Sequence, residues 1–455
     1  MLTSTPCRSS AQVYNWLSRF VNLERGQKPK NFGIEGMNAL AELAGRPEKC
    51  APSFHVAGSK GKGSVTGMIG AILQSSGIKT ARYSSPHVSD FRERLCLGAG
   101  FFDEDIYVSA GNELIEIYEK SKKSGKAVFA GEDPSFFELL TLWFFLCARL
   151  SGCEALAVET GMGGRLDSTN ILDPLVSVIT IIELEHTEFL GTTIPAIAGE
   201  KAGIIKPGRP VVLAEQSPSA FKVFSEKAAD SGSPLVYFPD NAEILDISVA
   251  QNGTGFSLGF KKNSCFKGET IRGLFVPIPG EVQAYNAGLA ALAVKTAYPD
   301  IKCEDIREGL ANFLLPARFE RICGKPQIII DGAHTGRSME LCLNTFTALY
   351  GSGNILIFGC ALGKDVLSMA ELCAPCFSTI IITAPGAFKE SRPGEIYDVF
   401  AGVAKNTGAK TELFLIPETK EAISKAINTA LEKGLSILGA GSFYLAAEIK
   451  KAVGG

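Results

Sequence analysis

Short runs of aliphatic and β-branched residues alternate with longer segments in which apolar positions recur every three or four residues. That alternation predicts an α/β fold, with parallel strands joined by crossover helices. Strands are expected at 54–57, 156–159, 176–181, 210–213, 328–330, 355–359, 379–383 and 436–439. Helical patterns stand out at 65–74, 284–298 and 303–313. Between 244 and 275 the texture changes to alternating, glycine-punctuated segments such as 255–260, which read as an antiparallel ribbon in a small subsidiary sheet. Leu315-Pro316-Ala317 then separates this half from a fresh strand–helix series beginning at Gln327. The boundary is expected near Leu314, giving units of 1–313 and 314–455.

Composition narrows the class. At 455 residues, 46% hydrophobic and 20% charged, the chain has ample material for two large units and is neither disordered nor collagenous. Its 45 Lys+Arg against 48 Asp+Glu give a net charge of -3, so no basic field advertises a nucleic-acid partner. The 12 cysteines, Cys147, Cys265 and Cys360 among them, are scattered and sit mostly in apolar runs, as reduced core thiols do. Cys373-Ala-Pro-Cys376 has CxxC spacing but no second pair, and reads as packing. The apolar stretch 139–150 is too short for a bilayer and carries Arg149, while Met1 to Asn15 lacks a signal-peptide core. A cytoplasmic protein with no membrane partner is expected.

Candidate chemistry begins at Gly58-Ser-Lys-Gly-Lys-Gly-Ser64, between a predicted strand and a predicted helix that Gly77 ends. Glycines let successive N–H groups converge on phosphate oxygens, and a helix N-terminus adds partial positive charge. Gly58, Ser59, Lys60, Gly61, Lys62, Gly63 and Ser64 are therefore expected to bind the phosphates of a nucleotide. Lys62 would reach the terminal phosphates and the Ser64 hydroxyl would coordinate Mg2+. Gly63 between Lys62 and Ser64 breaks the strict GxxxxGK[ST] spacing. A plain flexible turn is the competing reading, and the strand-before, helix-after context argues against it.

All four histidines lie in distinctive stretches: His55 before the loop, His87 in Tyr83-Ser-Ser-Pro-His87, His186 in Glu183-Leu-Glu-His186 and His334 in Asp331-Gly-Ala-His334. His55 reads as a satisfied core residue. His186 follows one predicted strand and Glu159 ends another, where open α/β sheets place ligands. A carboxylate and an imidazole emerging beside a phosphate loop form a plausible Mg2+ pocket, with Gly163 and Gly164 allowing close backbone approach. The alternative for Glu159 is a helix-capping or salt-bridged carboxylate.

Taken together, these segments resemble the folylpolyglutamate and dihydrofolate synthases, relatives of the muramyl ligases. The likeness runs from Phe32-Gly33 to Gly441-Ser-Phe-Tyr444 and is carried by His55 through Ser64, Tyr83 through His87 with Phe91-Arg-Glu-Arg94, and Glu159 through Asn170. Glu185 through Gly191, Glu200 through Gly208, Ala317-Arg-Phe-Glu320 and Asp331 through His334 complete it. The resemblance implies an ATP-binding N-terminal domain, a smaller Rossmann-like C-terminal domain and an active site between them. It implies that Ser64, Ser85 and Glu159 hold one Mg2+, and Glu159 with His186 a second. By the same likeness Lys201 would be carbamylated, Asn286, Arg318 and Asp331 would contact ATP, and Ser442, Tyr444 and His334 would serve the substrate. Lys62, Glu159, His186, Lys201 and His334 form the expected catalytic set. The chain departs from the family at Ser59-Lys60 for Thr-Asn, Glu185 for Asp, Val282 for His and Thr335-Gly336 for Asn-Pro.

The implied reaction is ATP-driven amide formation between L-glutamate and a folate or dihydropteroate carboxylate through an acyl phosphate, by a monomer. Another muramyl-ligase-like amino-acid ligase is the alternative within the fold, and a non-catalytic nucleotide-binding protein the alternative outside it.

Overall fold

The computed structural model describes residues 6–22, 33–123, 133–262, 266, 268–386, 388–408 and 410–454; Met1, Phe32 and Cys265 lie outside them. Strands β1 (Ser53–Ala57), β2 (Thr80–Tyr83), β3 (Leu95–Leu97), β4 (Ala155–Glu159), β5 (Val176–Ile179), β6 (Val211–Leu213) and β7 (Leu235–Tyr237) form a seven-stranded sheet. Their order is β3-β2-β4-β1-β5-β6-β7, parallel except between β2 and β3. The central strands β1, β4 and β5 are buried throughout, which requires near-continuous apolar runs because both faces are covered. Phe54, Val56 and Ala157 pack with helices Lys62–Ser75 and Glu281–Ala297, whereas Leu156 and Val158 face helix Phe136–Leu150. Among the described residues no helix is long and apolar enough to cross a membrane.

The alternating segment forms the expected antiparallel sheet, β8 (Ala242–Ala250), β9 (Gly253–Phe260) and β10 (Thr270–Val276), in the order β10-β9-β8. A third, six-stranded sheet takes β11 (Glu320–Gly324), β12 (Gln327–Ile330), β13 (Asn354–Phe358), β14 (Phe377–Ile382), β15 (Glu412–Leu415) and β16 (Ile437–Ala440), ordered β11-β12-β16-β13-β14-β15. Within it only β11 runs antiparallel to its neighbour. Cys373 is buried in the core and Cys376 packs beside it.

The expectation of wholly parallel large sheets needs correcting at β3 and β11. Both are edge strands too short or too polar for the apolar pattern to announce them, as are the edge strands β7 and β15; the four-residue β2, between β3 and β4, is too short as well. The run at 176–181 stops as a strand at Ile179, because Ile181 turns its carbonyl to the N–H of Ser59 at 2.9 Å. The helix expected from Val65 begins at Lys62, with Gly61 at its N-terminal cap.

Candidate active site

Strand β1 lies between β4 and β5, so the loop after Ala57 leaves the middle of the sheet at the carboxyl ends of its strands. Gly58 (φ 149°) and Gly61 (φ 85°) hold backbone conformations that side chains rarely adopt. A Cβ on Gly58 would run into the Thr180 hydroxyl, and one on Gly61 would lie 2.6 Å from Asn286 Oδ1. Asn286, on helix Glu281–Ala297, therefore touches the loop. The Ser59 N–H is committed to Ile181, so the unpaired amides available to an anion belong to the first helical turn, Lys62 to Ser64. Lys62 Nζ donates to the Gly58 carbonyl at 2.8 Å, and the Ser59 hydroxyl to that of Glu183 at 3.0 Å.

Register pairs Glu159 with Val56, which brings the carboxyl to the same strand edge as the loop. It is 4% exposed and accepts the Ser85 N–H at 3.3 Å. Burial pushes its pKa up to about 7, against the pull of Lys62. Glu159 Oε2 is 3.4 Å from where a Cβ on Gly63 would stand. The Ser85 turn owes its shape to Glu93, which accepts N–H groups from Val88, Ser89 and Asp90 at 2.7, 3.0 and 3.0 Å. Arg94 Nε donates to His87 Nδ1 at 2.7 Å, so the two motifs of this stretch brace each other.

Lys201 Nζ donates to Gly58 O at 2.7 Å and to Glu185 Oε1 at 2.8 Å. Its side chain is 1% exposed, and burial together with the charge of Lys62 lowers its pKa to about 8. Burial raises Glu185, but Lys62 and Lys201 outweigh it and hold the carboxyl down at about 2. His186 has a left-handed backbone (φ 46°) at the start of helix Thr187–Leu190, and burial lowers its pKa with Glu185 opposing. His55 is buried as expected but only half satisfied: its Nε2 donates to Thr169 Oγ1 at 2.8 Å, and Thr169 in turn donates to Asp167, while its Nδ1 is buried with no hydrogen-bond partner among the described residues. Asp167 accepts the Met162 N–H at 2.9 Å, so this buried chain fixes the loop beyond Glu159.

The second large sheet supplies the opposite wall. Arg318 sits between two left-handed residues, Ala317 (φ 51°) and Phe319 (φ 45°), and its guanidinium lies 4.2 Å from the Phe443 ring centre. Asp331 accepts the N–H groups of Phe319 and Ala333 at 2.8 and 2.7 Å. His334 Nδ1 donates to Gly332 O at 2.7 Å. Burial, then the charges of Lys364 and Lys60, drives its imidazole down to about 3. Lys60 is itself lowered by burial, with Glu185, Glu183, Lys62 and Arg318 around it. Ser442 caps the last helix, Phe443–Val453, by accepting the Tyr444 N–H at 3.1 Å, and Tyr444 stacks on Phe388 at 4.8 Å.

The fold thus gathers Lys60, Lys62, Ser64, Ser85, Glu159, His186, Lys201, Asn286, Arg318 and His334 around one cleft. Ser442 and Tyr444 are engaged with their own helix and with Phe388. Lys364, exposed in the turn beyond β13, escaped the sequence reading. A glycine–lysine pair just past a buried strand end was the available signal. The carboxylate of Glu159 and the hydroxyls of Ser64 and Ser85 are hard oxygen donors of the kind Mg2+ takes. Glu159 is a buried carboxyl that a cation would keep ionised, so the residues fit that ion. Among the described residues no group of three or more His, Cys, Asp and Glu could hold a metal. Hydroxyl, water and phosphate oxygens would have to complete the sphere.

Against known proteins, the Mur ligase middle domain matches residues 117–294 and the Mur ligase glutamate ligase domain residues 317–443. The chain is 30% identical over 417 residues to the folylpolyglutamate synthase of Lacticaseibacillus casei, covering 90% of this chain and 92% of that one. It is 30% identical over 439 residues to the dihydrofolate synthase/folylpolyglutamate synthase of Bacillus subtilis, covering 94% and 96%. Folylpolyglutamate synthase from Thermotoga maritima superposes with a TM-score of 0.82 at 27% identity, over 98% of this chain and 96% of that one. An FPGS–AMPPCP–folate complex gives 0.80 at 26% identity, over 98% and 100%.

Proposed function

The chain belongs to the folylpolyglutamate synthase/dihydrofolate synthase family, and from that premise we propose that it joins L-glutamate to a folate, to dihydropteroate, or to both, at the expense of ATP. It is an ATP-dependent acid–amino-acid ligase. The observation that supports the reading best is the facing of the phosphate loop and Glu159 by Arg318, His334 and Lys364 across the cleft.

A carboxylate is a poor electrophile. Its oxygen attacks the γ-phosphorus of ATP, the bond to the ADP oxygen breaks, and an acyl phosphate forms. The glutamate amine then attacks the acyl carbon, inorganic phosphate leaves, and the amine loses its proton. Lys62, the first-turn amides and Lys60 face the charge that spreads over the transferring phosphoryl oxygens. Ser64, Ser85, Glu159 and His186 would hold Mg2+, which when bound neutralises phosphate charge. Carbamylation of Lys201 would replace an ammonium with a carboxylate-like group beside those ligands. Asn286, Arg318 and Asp331 take the nucleotide, while Ser442 and Tyr444 stand on the side of the incoming glutamate. Residues 1–313 form the ATP-binding unit and 314–455 the unit that closes on it, in a cytosolic monomer.

Purified protein with ATP, Mg2+, labelled glutamate and either tetrahydrofolate or dihydropteroate should release one phosphate per glutamate incorporated. ATP turnover without incorporation into either acceptor would overturn the proposal.

A further inference from the structure

Behind the phosphate loop lies a narrow cavity lined by Gly63, Arg82, Ser85, Leu315, Arg318 and Phe443, among others. Its walls come from β2 and the turn after it, the first turn of helix Lys62–Ser75, the linker before β11 and the last helix. Two arginines line it. The surroundings of Arg318 account for its charge, since Asp331 and Glu159 are near and its guanidinium lies over Phe443. Arg82 also lies in the field of Glu159, but among the described residues it makes neither a hydrogen bond nor an ion pair with that carboxylate.

Arg82 Nε and Nη2 donate to Cys96 Sγ at 3.3 and 3.1 Å, and a thiol sulfur is a weak acceptor. Among the described residues no carboxylate forms an ion pair with it. Glu93 lines the same cavity, but its oxygens are taken by the N–H groups of Val88, Ser89 and Asp90. Glu159 accepts from Ser85 instead. The phosphate-loop helix makes room for this cation. A Cβ on Gly67 would collide with the Phe313 ring and come within 3.1 Å of Arg82 Nη1, and one on Gly70 would be 4.0 Å from Arg82 Cβ. Glycine inside a helix costs about 1 kcal/mol relative to alanine. At Gly67 the helix gives up that stability first to the Phe313 ring and then to the guanidinium, whereas Gly70 leaves ordinary contact.

A half-buried guanidinium whose hydrogen bonds among the described residues go only to a thiol, in a cavity beside a carboxylate-activating centre, suits a carboxylate, which its planar fork matches. Dihydropteroate has one carboxylate, and that one reacts. A folate ends in glutamate and brings a second, spectator carboxylate to the same place. We infer that Arg82 is a specificity-determining residue that receives the non-reacting α-carboxylate of a glutamate-tailed acceptor, so that this chain favours such acceptors over dihydropteroate. The inference rests on the ligase reading above.

The test compares full-length wild type, Arg82→Leu and Arg82→Lys with tetrahydrofolate, its α-carboxamide analogue and dihydropteroate, at saturating ATP and Mg2+. Wild type should prefer the free acid to the α-amide by at least ~30-fold in kcat/KM, as expected for one desolvated charge pair. In Arg82→Leu that ratio should fall to within about threefold through KM for tetrahydrofolate, with KM for ATP and glutamate unmoved. Arg82→Lys should fall between, keeping charge without the fork. A ratio preserved in Arg82→Leu, or a rise in KM for ATP or glutamate, would make Arg82 a structural counter-charge or a nucleotide contact and overturn the inference. Wild type that ligates only dihydropteroate would overturn it and leave the ligase reading standing. Failure with every acceptor would fell both. Should Arg82→Leu not fold, judged by its melting curve, the wild-type acid-to-amide ratio and Arg82→Lys decide.

Discussion

On the phosphate-loop side of the cleft Lys62, Lys201 and Glu159 are each tied to backbone. Lys62 and Lys201 donate to the Gly58 carbonyl at 2.8 and 2.7 Å, and Glu159 accepts the Ser85 N–H. On the other side Arg318 makes a 3.4 Å contact to the Ala317 carbonyl and lies over the face of Phe443, with Asp331 and Glu159 near its charge, and Lys364 stands exposed in the turn beyond its strand. The first wall is preorganised around its own hydrogen bonds. The second brings cations, Arg318 and Lys364, toward Lys60, where Glu185 and Glu183 already offset part of the repulsion and an arriving anion would offset more. On the proposed reading the first wall holds the phosphates, while the second adds nucleotide contacts and, through His334, a group that ligation needs more than nucleotide binding does.

The sharpest way to break this contrast is Lys62→Ala. Loss of one preorganised cation at a transferring phosphoryl group should cut ligation by at least ~100-fold in kcat, with an unchanged melting temperature. Near-normal turnover would remove the loop from the chemistry. His334→Ala comes next: ligation should fall by roughly 30-fold while affinity for a non-hydrolysable ATP analogue stays within about threefold, read by calorimetry. Equal losses in both would mean the two walls share one task. For Lys364→Ala a smaller loss of about fivefold in kcat/KM is expected, as for one exposed charge. Its more telling readout is the His334 imidazole by NMR, which should titrate higher than in wild type and still below an ordinary histidine, since burial is the larger cause of its depression.

The smallest effect concerns His55, neutral like His334 but for a reason confined to the core. Burial holds it at about 3, against 6.5 for an ordinary imidazole. The unfolded chain takes up the proton first as pH falls, so this contribution to stability is full above 6.5 and is lost progressively from there toward 3. Between pH 6.5 and 5 the loss is about 2 kcal/mol. Melting temperatures of His55→Asn should fall less over that interval than those of wild type, whereas His334→Ala should leave the His55 share intact. Parallel curves for His55→Asn and wild type would place its neutrality elsewhere.

How much of this could be read in the chain differs between the walls for the same physical reason. The phosphate loop announces itself because glycines at 58 and 61 meet a backbone demand that few residues satisfy, and β1 and β4 because burial on both faces forces unbroken apolar runs. Glu159 ends such a run as a charge, and was legible on that account. Asn286, Arg318 and Asp331 came only through family likeness. Their positions depend on how two sheets meet across residues 314–319, and no local period encodes that. Lys364 and Arg82 were missed because a single cation in a turn or on a short polar strand looks like a solvated surface residue until the neighbouring helix is in place. The edge strands β3 and β11 were missed because three to five residues of mixed polarity carry no periodic signal.

The Gly58 carbonyl, which accepts both Lys62 and Lys201, has a consequence for competition among anions. In the resting protein these ammonium groups already have a partner, so an incoming ion must outdo a hydrogen bond that is already made. The proposed triphosphate would, because its oxygens would also meet the first-turn amides and the cations of the far wall. A lone orthophosphate or chloride reaches too few of these groups at once to draw Lys62 off the carbonyl. On the proposed reading the loop is expected to be quiet toward simple anions and to release its lysine to a ligand long enough to reach both walls.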